Sequence, residues 1–104
     1  MEQRTAARIP AQARARCRSQ GVVIEGRVED VSRSGLFLRA CSSLQEGSAA
    51  ELDLELPGEK ILHLAVEVVR VVRRGEGVGM GLRFVGQAAR RRTLANFIMQ
   101  QAAR

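Results

Sequence analysis

Apolar and polar residues alternate with a period of two in several short runs of this chain. In the clearest run, Leu52, Leu54 and Leu56 alternate with acidic residues, and the run stops at Pro57-Gly58. A period of two sends successive side chains to opposite faces of an extended strand, so one face of this strand is buried and the other is exposed. The pattern therefore predicts β structure, with strands separated by turns at glycine and proline.

Five further runs are typical of strands, and only the tail has helical spacing. The tail places Leu94, Phe97 and Ile98 on one face of a helix. The other strand runs begin at Ala13 or span residues 22–31, 36–41, 61–72 and 78–85. Short strands followed by one helix predict an all-β fold, a six-stranded antiparallel β-barrel with a C-terminal helix, because closure removes the exposed edges of a small sheet.

The chain has 104 residues, which is enough for one domain. The first dozen residues carry charge and alanine but no apolar periodicity, so a flexible N-terminal segment is expected there. The predicted organisation is a flexible segment over residues 1–12, a barrel over residues 13–86 and a helix over residues 87–104.

Arginine supplies almost all of the positive charge. The net charge is +6, and Lys60 is the only lysine among 17 basic residues. Guanidinium groups form planar, bidentate contacts with phosphate and guanine, so an anionic partner is expected. A genome rich in G and C would also enrich arginine, and composition alone leaves that explanation open.

The composition argues against several classes of protein. No run approaches the roughly 20 apolar residues that span a bilayer, and the start lacks the apolar core of a signal peptide. The two cysteines do not make a disulfide scaffold and are expected to stay reduced, which predicts a cytoplasmic protein with no membrane partner. With one histidine and no tyrosine, neither a catalytic group nor a metal cluster stands out. The chain is therefore predicted not to be an enzyme and to hold no metal or cofactor.

A D-x-S-x-x-G motif follows the second predicted strand as Asp30, Ser32 and Gly35. A carboxylate and a hydroxyl two residues apart can face the same way and accept hydrogen bonds from a purine, and the hydroxyl can also bind phosphate. Gly35 would let the chain turn at a positive φ without a side chain blocking the ligand. Such a motif arises by chance in roughly one similar chain in a hundred. An ordinary turn stabilised by its own Asp and Ser remains the alternative.

Three pairs of arginines have the spacing R-x-x-x-R. They are Arg4 with Arg8, Arg14 with Arg18, and Arg70 with Arg74. The arginine content predicts roughly two or three such pairs by chance, so the spacing alone carries little information. The first pair differs in position, because it precedes the first strand, where four extended residues reach about 13 to 14 Å. That span suits a clamp on a ligand larger than one nucleotide.

The order of these motifs resembles the PilZ domain. R-x-x-x-R lies near the start, D-x-S-x-x-G follows the second strand, and a glycine-rich last strand precedes the helix. The runs over residues 35–38, 79–84 and 91–94 are similar to the family as well, and the resemblance covers nearly the whole chain. PilZ domains are six-stranded barrels that bind cyclic di-GMP, a bacterial second messenger made of two guanylates in a ring.

The resemblance implies a cyclic di-GMP site built from the two motifs and the residues beside them. Arg4 and Arg8 would hold the phosphates and guanine faces, while the D-x-S-x-x-G motif would lie against a guanine on the barrel surface. Gln3 stands where many family members carry another arginine. The implied ligand-binding residues are Arg4, Arg8, Asp30, Ser32 and Gly35, together with Gln3, Arg33, Gly79 and Gly81.

The function that follows is that of a bacterial cyclic di-GMP receptor, which relays the messenger level to a protein partner by rearranging residues 1–12 over the ligand. Two alternatives stay open. A PilZ-like adaptor would act through a protein partner without binding the ligand, although the presence of both motifs argues against it. A basic barrel for single-stranded nucleic acid would need exposed rings to stack bases, whereas Phe37, Phe84 and Phe97 are the only aromatic residues and are expected in or beside the core.

Overall fold

The alternating runs pair into a closed antiparallel barrel. The computed structural model describes residues 9–86 and 91–102. These form β1 (Ile9–Ser19), β2 (Val22–Val31), β3 (Gly35–Ala40), β4 (Ala49–Leu56), β5 (Lys60–Arg74), β6 (Gly77–Phe84) and α1 (Arg91–Ala102). Neighbouring strands follow the order β1-β2-β3-β6-β5-β4, and β4 pairs back with β1. The predicted six-stranded antiparallel barrel with a C-terminal helix is confirmed.

The first strand begins earlier than the alternation predicts. The alternating pattern starts at Ala13, whereas β1 starts at Ile9. The pairing of β1 with β2 changes register between Pro10 and Ala13, and an irregularity of this kind interrupts the period of two. Residues 9–12, expected in the flexible segment, therefore belong to the barrel. The rest of that segment, residues 1–8, lies outside the described residues.

The barrel interior is filled by the apolar members of the alternating runs. Leu52 and Leu54 of β4 are both fully buried, as their alternation with acidic residues predicts. Burying such a side chain contributes about 1.5 to 3 kcal/mol relative to leaving it exposed. Other interior positions are Val28, Leu36, Leu38, Leu64, Val66, Val68, Met80 and Leu82.

The terminal helix packs on this core through the residues that its spacing predicts. Leu94 and Phe97 are buried in the same apolar cluster as the barrel interior, and α1 contacts β1. The described helix lies within the predicted range of residues 87–104, and the remaining residues of that range lie outside the described part. The described residues include no helix long and apolar enough to cross a membrane.

Candidate ligand-binding face

The D-x-S-x-x-G motif forms a tight turn between β2 and β3. Ser32 is buried, and its Oγ accepts a hydrogen bond from the backbone N–H of Ser34 (3.2 Å) and donates one to the carbonyl oxygen of Gly35 (3.3 Å). The backbone N–H of Ser32 donates to the same carbonyl at 2.8 Å. The Ser32 hydroxyl is thus placed inside the turn, as the alternative interpretation of the motif expected, and not on the open surface beside Asp30.

Gly35 is required by a close approach of β6, not by a positive φ. A Cβ built on Gly35 would lie 2.0 Å from the carbonyl oxygen of Leu82 in β6. The glycine has no positive φ, so the conformation expected from the sequence is wrong. The space that a side chain would fill belongs to the paired strand, where Gly35 stands opposite Arg83.

Asp30 belongs to a row of residues that crosses the outer face of five neighbouring strands. It is half-buried near the end of β2. Leu36 and Leu38 point into the interior, so Phe37 between them faces outward, and residues directly opposite it share that face. The residues in register from β1 to β5 are Pro10, Asp30, Phe37, Gly81 and Arg70.

Phe37 is buried although it lies outside the interior cluster. Its exposed fraction is 2%. A Cβ built on Gly79 of β6 would lie 2.2 Å from the ring, so the ring occupies the space that the glycine leaves empty. A Cβ built on Gly81 would make only ordinary van der Waals contacts, with Val69 and Arg70. The Phe37 ring therefore packs directly on the backbone of β6 at Gly79.

Two arginines of β5 cover the other side of the Phe37 ring. The guanidinium carbon of Arg74 lies 5.0 Å from the ring centroid and that of Arg70 lies 5.7 Å from it. Both distances suit a cation–π contact, which contributes about 0.5 to 1 kcal/mol at an exposed site. Arg74 Nη1 also donates to Glu29, at 3.3 Å from Oε1, and Arg39 Nη1 lies 3.5 Å from Glu29 Oε2.

The structure brings together some of the residues implied for the site. Asp30, Gly79 and Gly81 meet around Phe37 on one outer face, while Ser32 and Gly35 shape the adjoining turn. Arg33 is exposed in that turn. Gln3, Arg4 and Arg8 lie outside the described residues. We call the surface formed by Asp30, Phe37, Gly79, Gly81, Arg70, Arg74, Glu29 and Arg39 the Phe37 face.

Phe37, Arg70 and Arg74 are not among the residues implied for the site, and the sequence contains a signal only for the outward direction of Phe37. The alternation of Leu36, Phe37 and Leu38 indicates that the phenylalanine faces away from the two leucines, and hence out of the barrel. No local signal indicates that Arg70 and Arg74 cover it, because those contacts join strands that are distant in the sequence.

One cleft of the described surface lies apart from the Phe37 face. An open cleft of about 1060 Å³ lies between the turn joining β1 to β2 and the start of β4, and none of the implied ligand-binding residues that the structure describes lines it. The charged groups of Arg83 and Glu67 at that cleft pair with each other. Among the described residues, no group of three or more His, Cys, Asp or Glu side chains could hold a metal ion.

Comparison with known families identifies one family whose pattern spans nearly the whole chain. The PilZ domain family matches residues 2–100, so the chain belongs to this family, as its motifs predict. PilZ domains are a family of cyclic di-GMP receptors and are typically not catalytic. No curated protein is similar enough to this chain to be matched.

Solved structures have the same fold at low sequence identity. The PilZ domain of YcgR from Escherichia coli, solved with c-di-GMP, has a TM-score of 0.82 and 16% identity over 96% of this chain and 92% of that one. YcgR of Escherichia coli in complex with c-di-GMP gives a TM-score of 0.78 and 20% identity over 95% of this chain and 46% of that one. The Bacillus subtilis inhibitor of motility (MotI/DgrA) gives 0.78 and 18%, over 96% of this chain and 51% of that one. The chain spans about half the length of the last two proteins.

Proposed function

We propose that this chain is a cyclic di-GMP receptor whose ligand lies on the Phe37 face. The observation that carries the proposal is the position of Asp30, the acidic residue of the D-x-S-x-x-G motif, in one outward row with Phe37 and Arg70. A carboxylate accepts hydrogen bonds from the amino edge of guanine, while guanidinium groups bind phosphate and the O6 and N7 atoms of guanine. The face therefore offers both kinds of group that the messenger needs.

Chain connectivity supports a role for the first R-x-x-x-R pair. Pro10 of β1 stands opposite Asp30 of β2, so the chain enters the barrel beside the Phe37 face. Arg8 precedes Pro10 by two residues, and two extended residues span at most about 7 Å. We infer that Arg4 and Arg8 hold the phosphates and guanine faces from this side, with Gln3 and Arg33 at the edge of the site.

The expected affinity follows from a small number of contacts. A hydrogen bond to a charged group contributes about 1.5 to 3 kcal/mol. A few of them supply the roughly 8 kcal/mol of micromolar binding. Micromolar affinity therefore requires only a few charged hydrogen bonds, which the R-x-x-x-R and D-x-S-x-x-G motifs can supply together to one ligand.

Calorimetric titration of the purified protein tests the proposal. Saturable heat at micromolar or lower concentration with cyclic di-GMP, and none with GTP or a short oligonucleotide, is the expected result, and the stoichiometry gives the number of ligand molecules bound. Arg8→Ala should weaken binding by about tenfold or more while the melting temperature stays nearly unchanged. A binding curve equal to that of the unmodified protein would remove Arg8 from the site.

A PilZ adaptor that acts through a protein partner is the second candidate, and one observation favours it. Val22, Val23 and Val85 are 47%, 51% and 38% exposed and line the same open cleft. Exposed apolar side chains gathered in one place are typical of surfaces that bind other proteins. The adaptor function would lead if the titration with cyclic di-GMP gives no heat. Nucleic-acid binding has less support, because Phe37, Phe84 and Phe97 are all buried.

A further inference from the structure

Arg70 and Arg74 have the R-x-x-x-R spacing that the sequence alone could not distinguish from chance. In an extended strand, residues four apart lie about 13 Å from each other on the same face. The pairing of β5 with β6 changes register between Val68 and Arg70, and both guanidinium groups converge on the single ring of Phe37. The ring thus holds two positive charges next to Asp30, on the surface where the ligand is proposed to lie.

The Glu29 carboxylate already binds the cations of this surface. It accepts hydrogen bonds from Arg74 Nη1 at 3.3 and 3.4 Å and forms an ion pair with Arg39 Nη1 at 3.5 Å. The register of β2 against β3 changes between Val28 and Asp30, so Glu29 is the extra residue of that irregularity. Glu29 is therefore adjacent to Asp30 in the chain, and its carboxylate reaches Arg39 of β3 and Arg74 of β5.

These contacts are accessible to solvent, so the carboxylate can be exchanged for another anion. The side chain of Arg74 is 50% exposed, that of Arg39 is 63% exposed and that of Glu29 is 27% exposed. An exposed ion pair contributes less than one charge-assisted hydrogen bond to a ligand, because solvent and salt screen its two charges. A phosphodiester can therefore compete with Glu29 for the Arg74 guanidinium.

We propose that Arg74 is a ligand-binding residue for the phosphodiester of cyclic di-GMP, and that the Glu29 carboxylate is an internal counter-ion which the ligand displaces from it. This inference rests on the proposed function. Phe37 restricts the Arg74 side chain from below, so less conformational entropy is lost when the guanidinium binds. Glu29 neutralises the cations in the free protein and lowers the affinity for the messenger by the cost of its release.

A purely structural role, in which the arginines only shield Phe37 from water, makes a different prediction for Glu29. If Arg74 merely covers the ring, loss of the Glu29 charge leaves ligand affinity unchanged. If Glu29 competes with the ligand, Glu29→Gln strengthens binding, because the amide is neutral and holds the guanidinium less tightly.

Calorimetric titration with cyclic di-GMP separates these cases with three variants. Arg74→Gln should weaken binding by about tenfold or more, and Glu29→Gln should strengthen it by about three- to tenfold. Arg73→Gln is the matched control, because Arg73 is exposed, adjacent in the chain, and in no ion pair or ring contact among the described residues. It should change the affinity by less than about twofold, the size expected for loss of an exposed, screened charge that does not contact the ligand.

Each outcome decides a different part of the account. If the unmodified protein binds while Glu29→Gln binds no more tightly, the counter-ion role is overturned. Equal affinities for Arg74→Gln and Arg73→Gln would overturn the ligand contact. If Arg74→Gln fails to fold, Glu29→Gln still tests whether the ligand competes for Arg74, because it removes the other partner of the same ion pair. Absence of heat with the unmodified protein would overturn the proposed function and this inference together.

Discussion

Asp53 is held in its ionised form on the outer surface of β4. Arg18 Nε and Nη2 donate to its two carboxylate oxygens at 3.2 and 3.0 Å, and His63 Nδ1 lies 2.6 Å from Oδ1. Burial raises the pKa of Asp53, but the hydrogen bonds with Arg18 and His63 outweigh it, so the pKa lies below its ordinary value of 3.8. The native protein therefore binds fewer protons at this group than the unfolded chain does.

This lowered pKa predicts how stability depends on pH. Its contribution is fully present above about pH 4 and is lost as the pH falls through the native pKa. Asp53→Asn should lower the free energy of unfolding by at most about 1 kcal/mol at neutral pH, because the pair is partly exposed. The difference from the unmodified protein should shrink in urea unfolding at about pH 3. Glu76→Gln, at an exposed carboxylate with no ion pair among the described residues, is the control, and a difference independent of pH would contradict the account.

Single residues also show how far the sequence predicts the candidate site. The outward direction of Phe37 follows from its place between Leu36 and Leu38, because the period of two is a local property. The burial of Phe37 cannot be predicted from the local sequence, because the arginines that cover the ring come from β5, far along the chain. Ser32 follows β2, as the motif indicates, but its side chain is buried and makes its hydrogen bonds within the turn.

At the scale of elements, the pairing of β3 with β6 leaves no room for a side chain at Gly35. A Cβ at Gly35 would meet the Leu82 carbonyl oxygen at 2.0 Å, whereas the nearest atom to one at Gly81 is 3.5 Å away. Gly35→Ala should therefore cost about 2 kcal/mol or more of unfolding free energy, because one strand must shift, while Gly81→Ala should cost less than about 1 kcal/mol. Chemical denaturation of both variants measures this, and equal losses would contradict the difference in available space between the two positions.

The strands themselves were predictable because each has one buried face, and their register irregularities were not. The alternation in β4 gave its buried leucines, Leu52 and Leu54, without reference to other strands. The irregularity between Pro10 and Ala13 hid the true start of β1 at Ile9. A bulge depends on the partner strand as well as on its own sequence, so a pattern along one chain segment does not locate it.

At the scale of the whole molecule, the closed barrel carries the proposed site on its outer face, beside the point where the chain enters β1. We propose that the N-terminal segment, predicted over residues 1–12, rearranges over the messenger through the part that precedes Ile9. Amide hydrogen exchange would then slow in that segment on addition of cyclic di-GMP, while the interior strand β4 (Ala49–Leu56) would change little and serve as the internal control. Equal protection of residues 1–8 in both states would contradict the closure.

The measurement that tests the central claim most directly compares the only two aspartates of the chain. Asp30 lies on the Phe37 face, whereas Asp53 is paired with Arg18 and His63 on β4. In calorimetric titration with cyclic di-GMP, Asp53→Ala should bind as the unmodified protein does, and Asp30→Ala should bind about tenfold more weakly or worse. Equal affinities of the two variants, or no binding by the unmodified protein, would contradict a messenger site on the Phe37 face.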